Sequence, residues 1–134
     1  MSTLVVDTDV VSYLIKRDSR AELYRPHLSN NTLVLSFMTL AELDRWMLEH
    51  HWGAARIKAT EHYLSNFITY PYDRDLCRKW AEVVVTARRK GRPIQPGDAW
   101  IGATALLHGL TLVTHNRRHY DNVDGLQVIS EAPS

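Results

Sequence analysis

Short apolar runs alternate with amphipathic stretches along the chain. Leu4-Val5-Val6 stops at Asp7, and Leu33-Val34-Leu35 is a second such run. Both read as buried strands, as do Leu110–Thr114 and Leu126–Ile129, with a shorter one at Phe67–Tyr70 before Pro71. Between them the apolar residues fall at helical spacing. Asp9–Lys16 carries Val10, Val11 and Leu14, and Thr39–His51 carries Leu40, Leu43, Trp46 and Met47. Arg20–Leu28 is a weaker helix that Pro26 should kink. Ala54–Leu64, Asp73–Lys90 and Asp98–His108 complete the set, with Gly91 and Gly109 as stops and Arg92–Gly97 as a loop. Strands without polar alternation need helices on both faces. The pattern predicts an α/β three-layer sandwich around a central, mostly parallel sheet of about four or five strands.

The 134 residues suffice for one domain, read as 1–130 with a loose tail at 131–134. Cys77 is the only cysteine, so neither an internal disulfide nor an all-cysteine zinc cage can form. No apolar run approaches a membrane span and none near Met1 reads as a leader, so the expected location is the cytoplasm. A net charge of +1 neither demands nor excludes a nucleic acid, so the question passes to where the charges lie.

Asp7 directly follows the first strand, and Asn116 follows Leu110–Thr114. Glu42 and Asp98 stand in the first turns of helices. Each alone has an ordinary structural explanation. Asp7, Asp9 or Asp98 could cap a helix, Thr39 and Glu42 could form a capping box, and Asn116 could turn the chain. Together they say more. In a parallel sheet all four positions emerge beyond the carboxyl ends of the strands, where such folds bind ligands. Crowded carboxylates repel one another unless a cation neutralises them, and oxygen-only ligands select Mg²⁺ or Mn²⁺ over zinc. A hard cation that keeps water and meets phosphate can cleave a phosphodiester.

Four ordered segments carry a resemblance to a known family. They are Val5-Val-Asp7-Thr-Asp9, Thr39-Leu-Ala-Glu42-Leu43, Pro96-Gly-Asp98-Ala-Trp and Leu112-Val-Thr114-His-Asn116, followed by Val123-Asp-Gly125-Leu126. Their order over nearly the whole chain resembles PIN-domain ribonucleases, most closely the VapC-type toxins of toxin–antitoxin pairs. The resemblance implies a PIN-like fold and a Mg²⁺-dependent endoribonuclease cutting structured RNA such as tRNA. It makes Asp7 and Asp98 metal ligands and Glu42 a third acid. Asn116 stands where many relatives place a fourth acid. Thr114 would support a water or Asp7, and Asp9 would orient Asp7. A VapB-like antitoxin and a homodimer are the implied partners.

An acidic centre needs a basic rim to accept RNA. Lys16, Arg17, Arg88, Arg89, Arg92, Arg117 and Arg118 are its candidates, although Arg88 and Arg89 also suit a helix C-terminus. Trp46 and Trp100 fall on apolar helix faces and read as core, whereas Trp52 beside Gly53 reads as surface. Two further readings stay open. His115 and His119 stand four apart, as in helical zinc sites, but without the glutamate of a metalloprotease motif. Alternatively, with Asn116 in place of an acid, the domain could bind RNA or a partner without cutting.

Overall fold

Successive side chains of a strand point to opposite faces, so Leu4 and Val6 must be covered by one layer and Val5 by another. A computed structural model of residues 1–133 shows both layers. In chain order the elements are β1 (Thr3–Val6), α1 (Thr8–Lys16), α2 (Ala21–Leu28), β2 (Thr32–Ser36), α3 (Phe37–Glu49) and α4 (Ala54–Leu64). Then follow β3 (Ile68–Tyr70), α5 (Arg74–Arg89), α6 (Pro96–Leu107), β4 (Thr111–Val113), a 3-10 turn over Arg117–Tyr120, and β5 (Val128–Ile129). Leu4 and Val6 pack with Val10, Leu14 and Tyr24 of α1 and α2. Val5, Val34 and Leu112 pack on the other side against Ile101 of α6 and Val83 of α5. All these residues are buried.

The described residues form one five-stranded sheet in the order β3-β2-β1-β4-β5, and every pairing is parallel. The expected three-layer α/β architecture is therefore present, with an entirely parallel sheet. β1 lies at its centre, with Val5 opposite Val34 on one side and Leu112 on the other. Asp7, Ser36 and Thr114 thus leave three adjacent strands at one edge of the sheet.

Two helix starts differ from the sequence expectation, and both differences shape that edge. α3 begins at Phe37, because Ser36 caps it by accepting from the Met38 amide at 3.1 Å. Thr39 is therefore inside the helix, no capping box forms, and Glu42 lies in the second turn with its side chain turned to Thr8 and not back to the Thr39 amide. α6 begins at Pro96, whose missing N–H and fixed φ suit a first helical position. Asp98 is the third helical residue and caps nothing. Pro26 is accommodated in the last turn of α2, where the helix is already ending.

Ser36→Ala should lower unfolding stability by about 1 kcal/mol, the usual worth of an N-cap. Urea denaturation with circular dichroism measures it, and an unchanged midpoint would return the capping role to Thr39. Among the described residues no helix is long and apolar enough to cross a membrane. Glu131, at the start of the expected tail, is held by Tyr24 and His27. Ser134 lies outside the described residues.

Candidate active site

Asp7 ends the central strand and caps α1, its Oδ1 accepting from the Thr8 amide at 2.7 Å. The capping explanation is thus correct for Asp7, but it uses only one of the two oxygens. Oδ2 accepts from Thr114 Oγ1 at 2.7 Å and from the Tyr120 hydroxyl at 3.0 Å. The residue is 4% exposed. Burial, with the nearby Asp9 and Asp98 charges adding to it, pushes its carboxyl up to about 8 against the Thr114 and Thr8 hydrogen bonds.

Glu42 comes in from α3. The Thr8 hydroxyl donates to its Oε1 at 2.9 Å and lies 2.9 Å from the Thr39 hydroxyl. Gly97 gives it room, since a Cβ there would stand 3.3 Å from Glu42 Oε2. Asp98 comes in from α6, its Oδ2 3.1 Å from His119 Nδ1 and its Oδ1 3.5 Å from the Tyr120 hydroxyl. Burial raises both carboxyls above their ordinary range; the His119 contact opposes the rise at Asp98.

Asp9 faces the loop after β4. Its Oδ2 accepts from the His115 amide and from Asn116 Nδ2, each at 2.9 Å. It makes no hydrogen bond to Asp7. Burial raises its carboxyl too. Asn116 therefore spends its amide hydrogen on holding Asp9, while its backbone amide donates to Thr114 Oγ1 at 3.0 Å.

Asp7, Asp9, Glu42, Asp98 and Asn116 all line one cavity of about 390 Å³. Residues more than a hundred positions apart meet there. Among the described residues, however, no group of three His, Cys, Asp or Glu side chains is already arranged to hold a metal ion. The hydroxyl and amide donors around Asp7, and His119 on Asp98, occupy oxygens that a cation would use.

The basic residues divide. Lys16 lines the acid cavity, its Nζ 4.2 Å from the centre of the Trp46 ring. Arg92 and Arg118 line an adjoining cavity that shares Asp98 and His119, although Arg92 also pairs with Asp121 at 2.9 Å. Arg17 lies in a separate cleft between α1 and α4. Arg117 turns away to donate to the Val128 carbonyl, and Arg88 and Arg89 are exposed at the end of α5. Trp46, expected in the core, is half-buried and lines the acid cavity, because α3 carries it to the same edge as Glu42.

The histidine pair does not converge. His115 Nδ1 meets the Tyr24 hydroxyl, whereas His119 meets Asp98. His119 lies in the 3-10 turn Arg117–Tyr120 and His115 precedes it, so the four-residue spacing does not bring both rings to one helix face. The arrangement gives the zinc reading no support.

A parallel sheet with one buried acid after β1 and half-buried acids from α3 and α6 at its carboxyl edge is the frame against which known proteins compare. The PIN domain family matches residues 4–126. The chain belongs to the PIN-domain family. Within it the chain is 31% identical to Ribonuclease VapC1 of Haemophilus influenzae strain R2866 over 126 residues, covering 92% of this chain and 93% of that one. It is 26% identical to the tRNA(fMet)-specific endonuclease VapC of Shigella flexneri, covering 95% and 96%. The VapBC-1 structure from nontypeable H. influenzae has a TM-score of 0.80 at 28% identity, covering 97% of this chain and 98% of that one. The DNA-bound VapBC2 structure of Rickettsia felis, at 22% identity and a TM-score of 0.83, shares the fold. The chain is a PIN-domain protein of the VapC ribonuclease type.

The sequence reading missed three parts of this PIN-domain site. Thr8 holds Glu42, Tyr120 holds Asp7 beside Asp98, and His119 stands on Asp98. Tyr120 is a core aromatic, at 3% exposure. A buried tyrosine needs a partner for its hydroxyl, and that need was the available signal.

Proposed function

We propose that the chain is the toxin of a toxin–antitoxin pair, a divalent-metal-dependent endoribonuclease that cuts structured RNA such as tRNA. The observation that supports it best is the gathering of Asp7, Glu42 and Asp98 in one cavity at the carboxyl edge of the sheet. Oxygen-rich, cysteine-free and internally repulsive, this donor set suits Mg²⁺ or Mn²⁺. Asp7, Asp98 and Glu42 would hold the cation, once Asp7 gives up its proton and Asp98 shares its oxygen with something besides His119. Bound there, such a cation supplies charge neutralisation for phosphate and acidifies a water.

The chain's own side chains do the positioning. Thr114 and Tyr120 hold Asp7 Oδ2, and Thr8 holds Glu42 Oε1. Asp9 and Asn116 tie the loop after β4 back to α1. Lys16 offers a cation to a phosphate entering beside Trp46. By the same reading residues 1–130 act as one nuclease domain, working in the cytoplasm as a homodimer until a VapB-like antitoxin covers the site.

The test is cleavage of a tRNA pool by the purified chain, followed as new 5′ ends, with Mg²⁺ or Mn²⁺ added and then removed by chelator. Cuts should require the cation. Cutting that persists in excess chelator would overturn the metal role. The absence of any cut with every cation would favour the non-cutting binding module.

A further inference from the structure

Beyond the acid cavity lies a second cleft of about 520 Å³ between α1, α2 and α4, and it is lined differently. Arg17, Arg25 and Arg56 face it together with Trp52 and Tyr63. Its carboxylate, Glu22, pairs with Arg25 at 2.7 Å. Arg17, Arg56 and the neighbouring Lys16 have no acidic partner among the described residues.

A row of rings and cations joins the two cavities, its two tryptophans meeting edge to face at 63°. Lys16 lies over Trp46, whose ring centre is 4.7 Å from that of Trp52, and the Arg56 guanidinium lies 3.5 Å from the centre of Trp52. The order is cation, ring, ring, cation, starting in the acid cavity and ending in the cleft. Arg17 closes α1 with φ at 57°, a conformation that glycine adopts at less cost. The turn nevertheless carries an arginine, and its side chain lines the cleft.

From this continuity we infer that the cleft is a second binding site for single-stranded RNA, taking the strand that leaves the acid cavity. Arg17, Arg25 and Arg56 meet its phosphates, and a base stacks on the Arg56–Trp52 pair. The inference rests on the ribonuclease reading above for its choice of polymer. Single-stranded RNA presents phosphates and bases in alternation, and cations interleaved with rings are what such a strand needs. A polymer cut at Asp98 that leaves on the α1–α3 side meets Lys16 and Trp46, which belong to both the acid cavity and the row. An acidic peptide would satisfy the arginines but gives the ring pair no role.

The experiment uses the full chain with Asp98→Asn, so that binding is read without cleavage. The probe is a short fluorescein-labelled single-stranded RNA of mixed sequence, followed by anisotropy over a salt series. Adding Arg56→Gln or Trp52→Leu should weaken binding about tenfold, the worth of one stacked base. Arg56→Gln should also flatten the salt slope by about one. Arg78→Gln, an exposed change on α5, should alter neither. Arg56 is exposed on its helix, so its variant tests the idea even if the Trp52 variant is less stable. Unchanged RNA affinity and salt slope in Arg56→Gln would overturn the inference. So would loss of binding to a polyglutamate peptide alone, which would make the cleft a protein-docking site. Failure here with wild-type cleavage intact would leave the ribonuclease reading standing. RNA binding that depends on Arg56 in a chain unable to cut would sink the ribonuclease reading and keep the second site.

Discussion

Asp98→Asn is expected to cut RNA at least about a hundredfold more slowly than the wild-type chain while folding as well. Changes one shell out from a metal already cost 10–100-fold, and Asp98 would touch the cation itself. Asparagine keeps the size of the side chain and an oxygen for Tyr120, but it cannot carry the charge. Folding should hardly notice. Burial already disfavours the Asp98 charge, and its histidine contact has one side chain half-exposed. The measurements are cleavage rate with saturating Mg²⁺ or Mn²⁺, growth after induction, and melting temperature. A variant that cuts the same sites at a comparable rate would remove Asp98 from the chemistry.

The metal-free chain should lose stability as pH rises from about 4 to about 8, with a fall in melting temperature of at least about 4 °C. The sign follows from Asp7. Unfolded, its carboxyl ionises near 3.8; folded, burial pushes it up to about 8. Between those values the folded chain keeps a proton that the unfolded chain gives away. The stabilisation is whole below the lower value and is lost as pH rises through the upper one. Asp9, Glu42 and Asp98 shift in the same direction and add to the slope. Mg²⁺ or Mn²⁺ favours the ionised form and should flatten it. Thermal melts across pH, with and without cation, read the effect. Asp7→Asn provides the control, because it lacks the titrating group and should melt with a weaker slope. A wild-type profile no steeper than that of Asp7→Asn would refute the assignment.

The sheet was legible because its strands lack polar alternation. Val5-Val6 and Val34-Leu35 can be buried together only between two layers. The edge carrying Asp7, Glu42, Asp98 and Asn116 followed from parallel pairing and the order of the motifs. What stayed hidden was set by geometry that no spacing encodes. Local capping chemistry suggested Thr39 and Asp98 as helix starts, but Ser36 and Pro96 took those places. That difference freed Glu42 and Asp98 to face the cavity. Trp46 has the helical spacing of a core residue, and only the packing of α3 reveals its exposed edge. Tyr120 is the converse: a core ring whose single polar atom reaches the acids.

Protonation gives a second answer to how these acids tolerate one another. A proton kept on Asp7 removes one negative charge beside Asp9 and Asp98, and giving it up would ready the cavity for the cation proposed above.

The central position of β1 has a consequence for the birth of the protein. Asp7 is made more than a hundred residues before Thr114 and Tyr120, which hold it. β4 must also dock beside β1 before that edge of the sheet exists. A ribosome that has not yet made Thr114 and Tyr120 therefore carries an unassembled site. The acids can take up their arrangement only once Tyr120 is free to fold back.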